Sequence, residues 1–159
     1  MMTGLEPRGF TWVITGRLAV SERIGGYGFQ HRRVRREEEI AWLVHHGVTA
    51  VLSLLDGNQN LGAYRDGGLR AHHAPLGDTE RDTVVGVLDL MHRVLAQPKT
   101  VLLVHRDTID DPVAGVLAAY LVYSGLIEDP IVATAAIQEI LRRPLGPLAR
   151  RMIRQPAET

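Results

Sequence analysis

Thr100-Val-Leu-Leu-Val-His105, followed by Arg106-Asp-Thr-Ile-Asp-Asp111-Pro112 and then by the apolar run Val113 to Tyr123, is the stretch on which the fold turns. Its first six residues are almost continuously apolar and partly β-branched, the pattern of a central strand buried on both faces. Asp111 followed by Pro112 reads as an N-cap and first-turn proline, so a helix is expected over 112–124. A loop between a buried strand and a helix N-terminus offers backbone N–H groups and the positive end of the helix dipole to an anion. Here that attraction is opposed. Asp107, Asp110 and Asp111 stand against Arg106, so an entering phosphate meets like charge at contact distance.

Outward from this stretch the chain alternates strands and helices. Trp12 to Thr15 and Leu18-Ala19 read as short strands, followed by a Gly-rich, basic insertion from Ile24 to Arg36. A helix is expected from Arg36 to Gly47, with Ile40, Leu43 and Val44 on its apolar face and Gly47 ending it. Val48 to Leu55 reads as a buried strand, Leu69 to Ala74 as a shorter one, and Thr83 to Leu95 as a helix closed by Gln97-Pro98. After the central strand come three helices, 112–124, 130–142 and 145–154. The expected fold class is α/β, with a mainly parallel central sheet sandwiched by helices.

The chain has 159 residues, of which 45% are hydrophobic, enough for one core of ordinary size. A single domain over 1–159 is expected, ordered over about 10–154, with 155–159 disordered. Lys+Arg and Asp+Glu number 18 each, so no global basic field grips nucleic acid and none repels it. No apolar stretch approaches the roughly 20 residues that span a bilayer, and the first nine residues lack a signal peptide's apolar centre. The expected location is cytoplasmic. Lys99 is the only lysine among the 18 basic residues, a bias toward GC-rich codons that hints at a bacterial source.

The chain contains no cysteine, which removes disulfides and thiolate chemistry and leaves His and carboxylate groups as the only candidate ligands. His72-His73, His105, Asp78 and the loop aspartates are the residue types a divalent site would need. Adjacent strand residues point to opposite faces, so at most one of His72 and His73 shares a cleft, and no metal or cofactor is expected. His31-Arg-Arg-Val-Arg-Arg36 is basic but runs into Glu37-Glu38-Glu39, and reads as a solvated face that pairs with itself. His45-His46 at a helix end favours the helix dipole.

Several segments, in order, resemble the small atypical dual-specificity phosphatases of the cysteine-dependent protein tyrosine phosphatase superfamily. Phe10-Thr-Trp-Val-Ile-Thr-Gly-Arg-Leu-Ala19 is similar to the family's Phe-Ser-Trp-Val-x-Pro-Gly-x-Leu-Ala opening. Glu38 to Leu55 is similar to its helix, Gly-Val turn and Val-x-Ser-Leu strand. Pro75-Leu-Gly-Asp78 resembles the Pro-x-x-Asp segment that supplies the general acid, and Leu141-Arg-Arg-Pro-Leu-Gly146 the Arg-Pro-Gly stretch near the C-terminus. The resemblance implies that the signature His-Cys-x-x-Gly-x-x-Arg-Ser/Thr falls on 105–113. His105 matches. Arg106 stands at the nucleophile, Ile109 at the glycine, Pro112 at the arginine and Val113 at the Ser/Thr, while Thr108 lies within the loop.

Each departure removes a piece of chemistry. A guanidinium has no lone pair to offer and stays protonated, so it cannot replace a thiolate. Proline cannot grip phosphoryl oxygens and lacks even a backbone N–H. A β-branched residue is disfavoured at positive φ, so Ile109 argues for a different loop path. Asp78 keeps the general-acid position, but an acid is useful only after a nucleophile has attacked, and Gly77-Asp78-Thr79 also reads as a turn or cap. The expectation is a pseudophosphatase, a degenerate dual-specificity-phosphatase-like protein with no catalytic residue in its loop, acting as a protein-binding or regulatory module for a partner of unknown identity. The alternative is a hydrolase repurposed in the same cleft, using Asp107 or Asp78 as a carboxylate, or a bound metal.

Overall fold

The structure is a computed structural model and describes residues 4–154. The expected disorder of 155–159 lies outside the described residues. Two compact units appear: residues up to Pro75 with Leu95–Ile109, and Leu76–Val94 with the chain from Asp110 onward.

The first unit carries the sheet. Strands β1 (Thr11–Ile14), β2 (Leu18–Ser21), β3 (Ala50–Ser53), β4 (Arg70–His73) and β5 (Leu102–His105) lie in the order β1-β2-β5-β3-β4. β1 pairs antiparallel with β2, and the other three pairings are parallel, so the sheet is mixed and mainly parallel. Two helices belong to this unit, α1 (Arg33–His45) and α2 (Leu61–Asp66). One row of the sheet, Ala19, Leu103, Val51 and Ala71, forms a core with Ile40 and Leu43 of α1 and Tyr64 of α2. The opposite row, Val20, Val104 and Leu52, is equally buried, as strands covered on both faces require. Each such leucine withdrawn from water contributes about 1.5–3 kcal/mol.

Three expectations for this unit need correcting. α1 begins at Arg33, not Arg36, because Arg33 and Arg35 reach Glu37 and Glu39 one turn on and extend the helix backward into the basic run. Val44 is exposed and does not share the buried face of Ile40 and Leu43. α2 was not anticipated: six residues are too few to display a helical period, and Tyr64 is its only buried side chain.

The second unit is helical. α3 (Arg81–Ala96) buries Val84, Val87, Leu88, Met91 and Val94, a stripe at helical spacing. α4 (Asp111–Tyr123) is buried from Val113 to Leu121. α5 (Pro130–Leu141) is capped by Asp129, whose carboxylate accepts from the Ile131 N–H, and ends at Arg142 in the left-handed region, φ 56°. α6 (Pro147–Arg154) turns Ala149, Met152 and Ile153 inward and its arginines outward. α4 and α6 approach closely at Gly115, where an added Cβ would lie 2.8 Å from Met152 Sδ and 3.0 Å from Ala149 Cα. No helix among the described residues is long and apolar enough to cross a membrane.

Candidate functional site

In an open α/β sheet, ligands gather at the carboxyl ends of the parallel strands. Four strands end together here. Ser21, His105, Ser53 and His73 are register partners across β2, β5, β3 and β4, and form a polar row beyond the apolar row of Ala19, Leu103, Val51 and Ala71. Side chains two residues apart on a strand share a face, so this polar row looks toward α1 and α2.

The row is tied into a network. Asn58 Nδ2 donates to Ser53 Oγ at 3.0 Å and to the Tyr64 hydroxyl at 3.2 Å. The Tyr64 ring meets the His105 ring edge-on, with centroids 6.1 Å apart. Asn60 Oδ1 accepts from Arg36 Nη1 at 3.0 Å, and Asn60 Nδ2 lies 3.2 Å from His31 Nε2. His73 Nε2 lies 2.6 Å from the Leu55 carbonyl. His105 is wholly buried, and loss of water pushes its imidazole pKa down to about 4, so it is neutral at pH 7. Burial also raises the Tyr64 phenol, although the hydrogen bond from Asn58 and the nearby Arg23 and Arg36 pull it down. Burial, then Arg23, Arg36, Arg35 and Arg32, lower His31.

The loop of the sequence motif divides between the units. Arg106, Asp107, Thr108 and Ile109 close the first. Asp107 is half exposed and sits 3.8 Å from the Arg23 guanidinium, while its carbonyl accepts from the Arg23 N–H. No residue from 105 to 113 has a positive φ. Ile109 lies against Gly9, where an added Cβ would meet its Cδ1 at 3.1 Å.

Asp110, Asp111 and Pro112 open the second unit, and here the expected cap is displaced by one residue. Asp110, not Asp111, is the N-cap of α4: its Oδ1 accepts from the Val113 N–H at 3.0 Å. Asp111 is the first helical residue. Its two oxygens accept from the N–H groups of Gly146 at 2.8 Å and Ala149 at 2.9 Å, so it caps α6, with Arg143 3.8 Å away. Asp111, the cap read from its place before Pro112, is instead occupied by the N–H groups of Gly146 and Ala149, and Asp110 caps α4.

Asp78 lies in the second unit, fully exposed. It accepts from the Glu80 N–H at 2.9 Å, and hydrogen bonds from the Thr83 side chain and that N–H hold its carboxyl below the usual range. That is the setting of a turn residue ahead of α3. The basic run is also partly absorbed. Arg33 pairs with Glu37 in solvent as anticipated, but Arg35 and the fully buried Glu39 lie 2.6 Å apart, and Glu39 also accepts from the Gly25 N–H. That part is not a solvated face. Among the described residues no group of three or more His, Asp or Glu is placed to hold a metal ion. Sequence reasoning missed Arg23, Asn58, Asn60 and Tyr64. The available signal was the Asn58-Gln-Asn60 turn, which places two amides beside the end of β3.

No protein-family model matches the chain, and no curated protein matches it. Solved structures do. Kinase associated phosphatase, with serine replacing its catalytic cysteine, is similar over 96% of this chain and 95% of its own, with TM-score 0.73 and 15% identity. Tk-PTP in its active form is similar over 94% and 96%, with TM-score 0.71 and 16% identity. A variant of human DUSP28 is similar over 95% and 94%, with TM-score 0.64 and 16% identity. The chain therefore has the fold of the dual-specificity and protein tyrosine phosphatases.

Proposed function

We propose that this protein is a pseudophosphatase, inert toward phosphate monoesters by cysteine chemistry, that works in the cytoplasm as a protein-binding or regulatory module. The observation that carries this reading is an arginine at the nucleophile position of a chain with no cysteine. The loop acids support it. Asp110 and Asp111 fill helix N-termini that would otherwise attract an anion, and Asp107 adds a further negative charge to the loop. Surface for a partner is available in the second unit, where a groove of about 480 Å³ between α5 and α6 is lined in part by Ile131, Leu145, Pro147 and Ile153.

In the carboxylate-hydrolase alternative, Asp78 is a poor general acid. General-acid work at neutral pH needs a raised pKa, whereas Asp78 is fully exposed and held low. The test is hydrolysis of p-nitrophenyl phosphate by metal-stripped protein across the acid to alkaline range. No turnover above buffer is expected. Turnover that is lost on Asp107→Asn or Asp78→Asn would overturn the proposal.

A further inference from the structure

Arg23 and Arg36 are unusual among this chain's arginines. Their side chains are only 15% and 17% exposed, yet the Nε atom of each is buried and has no hydrogen-bond partner among the described residues. Nε2 of His105 is also buried without a partner, but Nδ1 faces the Arg106 carbonyl at 3.4 Å and carries the proton of the neutral ring, so Nε2 is an acceptor and no part of a donor set. A buried donor left unpaired costs about 1–3 kcal/mol, and more when it is charged. Such groups mark strain or a place for an acceptor.

Charge points the same way. Glu39 is consumed by Arg35 at 2.6 Å. Asp107 stands 3.8 Å from Arg23, beyond hydrogen-bond reach, and is half exposed. The nearest carboxylate to Arg36 is the exposed Glu37, at 4.0 Å. Two guanidinium groups are therefore held largely out of water without a close counter-ion. Both lie near the His31 imidazole, Arg36 through their shared partner Asn60, and Arg23 two residues before Gly25, which packs on His31 and Arg36. The surroundings are built and tight. Gly25 passes so close that an added Cβ would lie 2.8 Å from Arg36 Cβ and 2.9 Å from His31 Nε2, and Asn60 holds both Arg36 and His31.

We propose that Arg23 and Arg36, beside His31 and Tyr64 at the carboxyl edge of the sheet, form a binding site for a small dianionic oxyanion of the phosphate or sulfate class. This site owes nothing to the amides of the 105–113 loop. Its donors are the fork-shaped guanidinium groups, which suit tetrahedral oxyanions. Asp107 competes with the anion for Arg23.

The experiment is calorimetric titration of the full chain with inorganic phosphate and, separately, sulfate, at ionic strength matched with chloride. Saturable binding is expected, at least tenfold weaker in Arg23→Met and in Arg36→Met, and unchanged in Arg33→Met, which alters an exposed arginine of the same helix. Asp107→Asn removes the competitor and tightens binding about threefold to tenfold. Sulfate binding as well as phosphate marks a general oxyanion site, and selectivity for either marks which member of the class it takes. Should the methionine variants misfold, the Nε–H resonances of Arg23 and Arg36 in the unaltered protein decide the matter, since bound phosphate must move both. Absence of saturable binding, binding that survives Arg36→Met, or unmoved resonances at saturating phosphate would overturn the site. Turnover of an aryl phosphate would sink the inert-phosphatase reading and leave this site standing, while absent binding would do the reverse.

Discussion

Residues 105–109 and residues 110–113 are neighbours in one loop, yet they use the same kind of side chain in opposite ways. In the first stretch Asp107 reaches an arginine loosely, at 3.8 Å and half in solvent. In the second, Asp110 and Asp111 accept three backbone hydrogen bonds between them, at 3.0, 2.8 and 2.9 Å. A carboxylate at a helix N-terminus satisfies orphan N–H groups and meets the dipole, whereas an exposed ion pair is screened and entropically costly. The acids of this loop therefore differ in what they can be asked to do: two are parts of the scaffold, and one remains available to solvent.

The largest effect that sharpens this contrast comes from the first stretch and is read by pH. His105 has its pKa lowered to about 4 in the folded chain, against 6.5 when unfolded. Between those values the unfolded chain binds more protons, so stability rises with pH through this window and is lost as pH falls from about 6.5 toward 4. About 3 kcal/mol of the acid destabilisation belongs to this one group. Denaturant midpoints at pH 7 and pH 4.5 should therefore differ less in His105→Gln than in the unaltered protein, and an unchanged difference would show that the ring is not desolvated as described.

Next in size is Asp111→Ala, which strips two acceptors from the start of α6 and should cost about 2 kcal/mol, or roughly 4–8 °C in the melting temperature. Asp110→Ala removes one cap bond from α4 and should cost about half as much, near 1 kcal/mol. The smallest effect is Asp107→Asn, expected within about 0.5 kcal/mol of the parent. If Asp107→Asn proved as damaging as Asp111→Ala in thermal melts, the division of the loop into scaffold and solvent-facing acids would fail.

Much of the architecture was legible in advance. Continuous apolar residues announced β5, and helical spacing announced α3, because both patterns repeat within a few residues. The short α2 left no such trace. The identities of the residues at 105–113 were likewise readable, since the chain itself states them. The caps were not. The partners of Asp111 lie 35 and 38 residues away, and the local pattern of an acid before Pro112 named the wrong aspartate as the cap of α4. The basic run shows the same limit. The run was expected to pair with the adjacent Glu37-Glu38-Glu39 as a solvated face; Arg33 meets Glu37 in solvent, but folding buries Glu39, which pairs with Arg35 and accepts from the Gly25 N–H.

By itself, the order of residues determined that this chain has no thiol chemistry and that it alternates strands with helices, because composition and short-range periodicity are local properties. Only the tertiary structure decided which aspartate caps which helix, that four strand ends align into one polar row, and that Asn60 joins Arg36 to His31. Those outcomes depend on contacts between residues far apart in the chain, whose free energies arise from burial and hydrogen-bond satisfaction and exist only once the distant segments have packed.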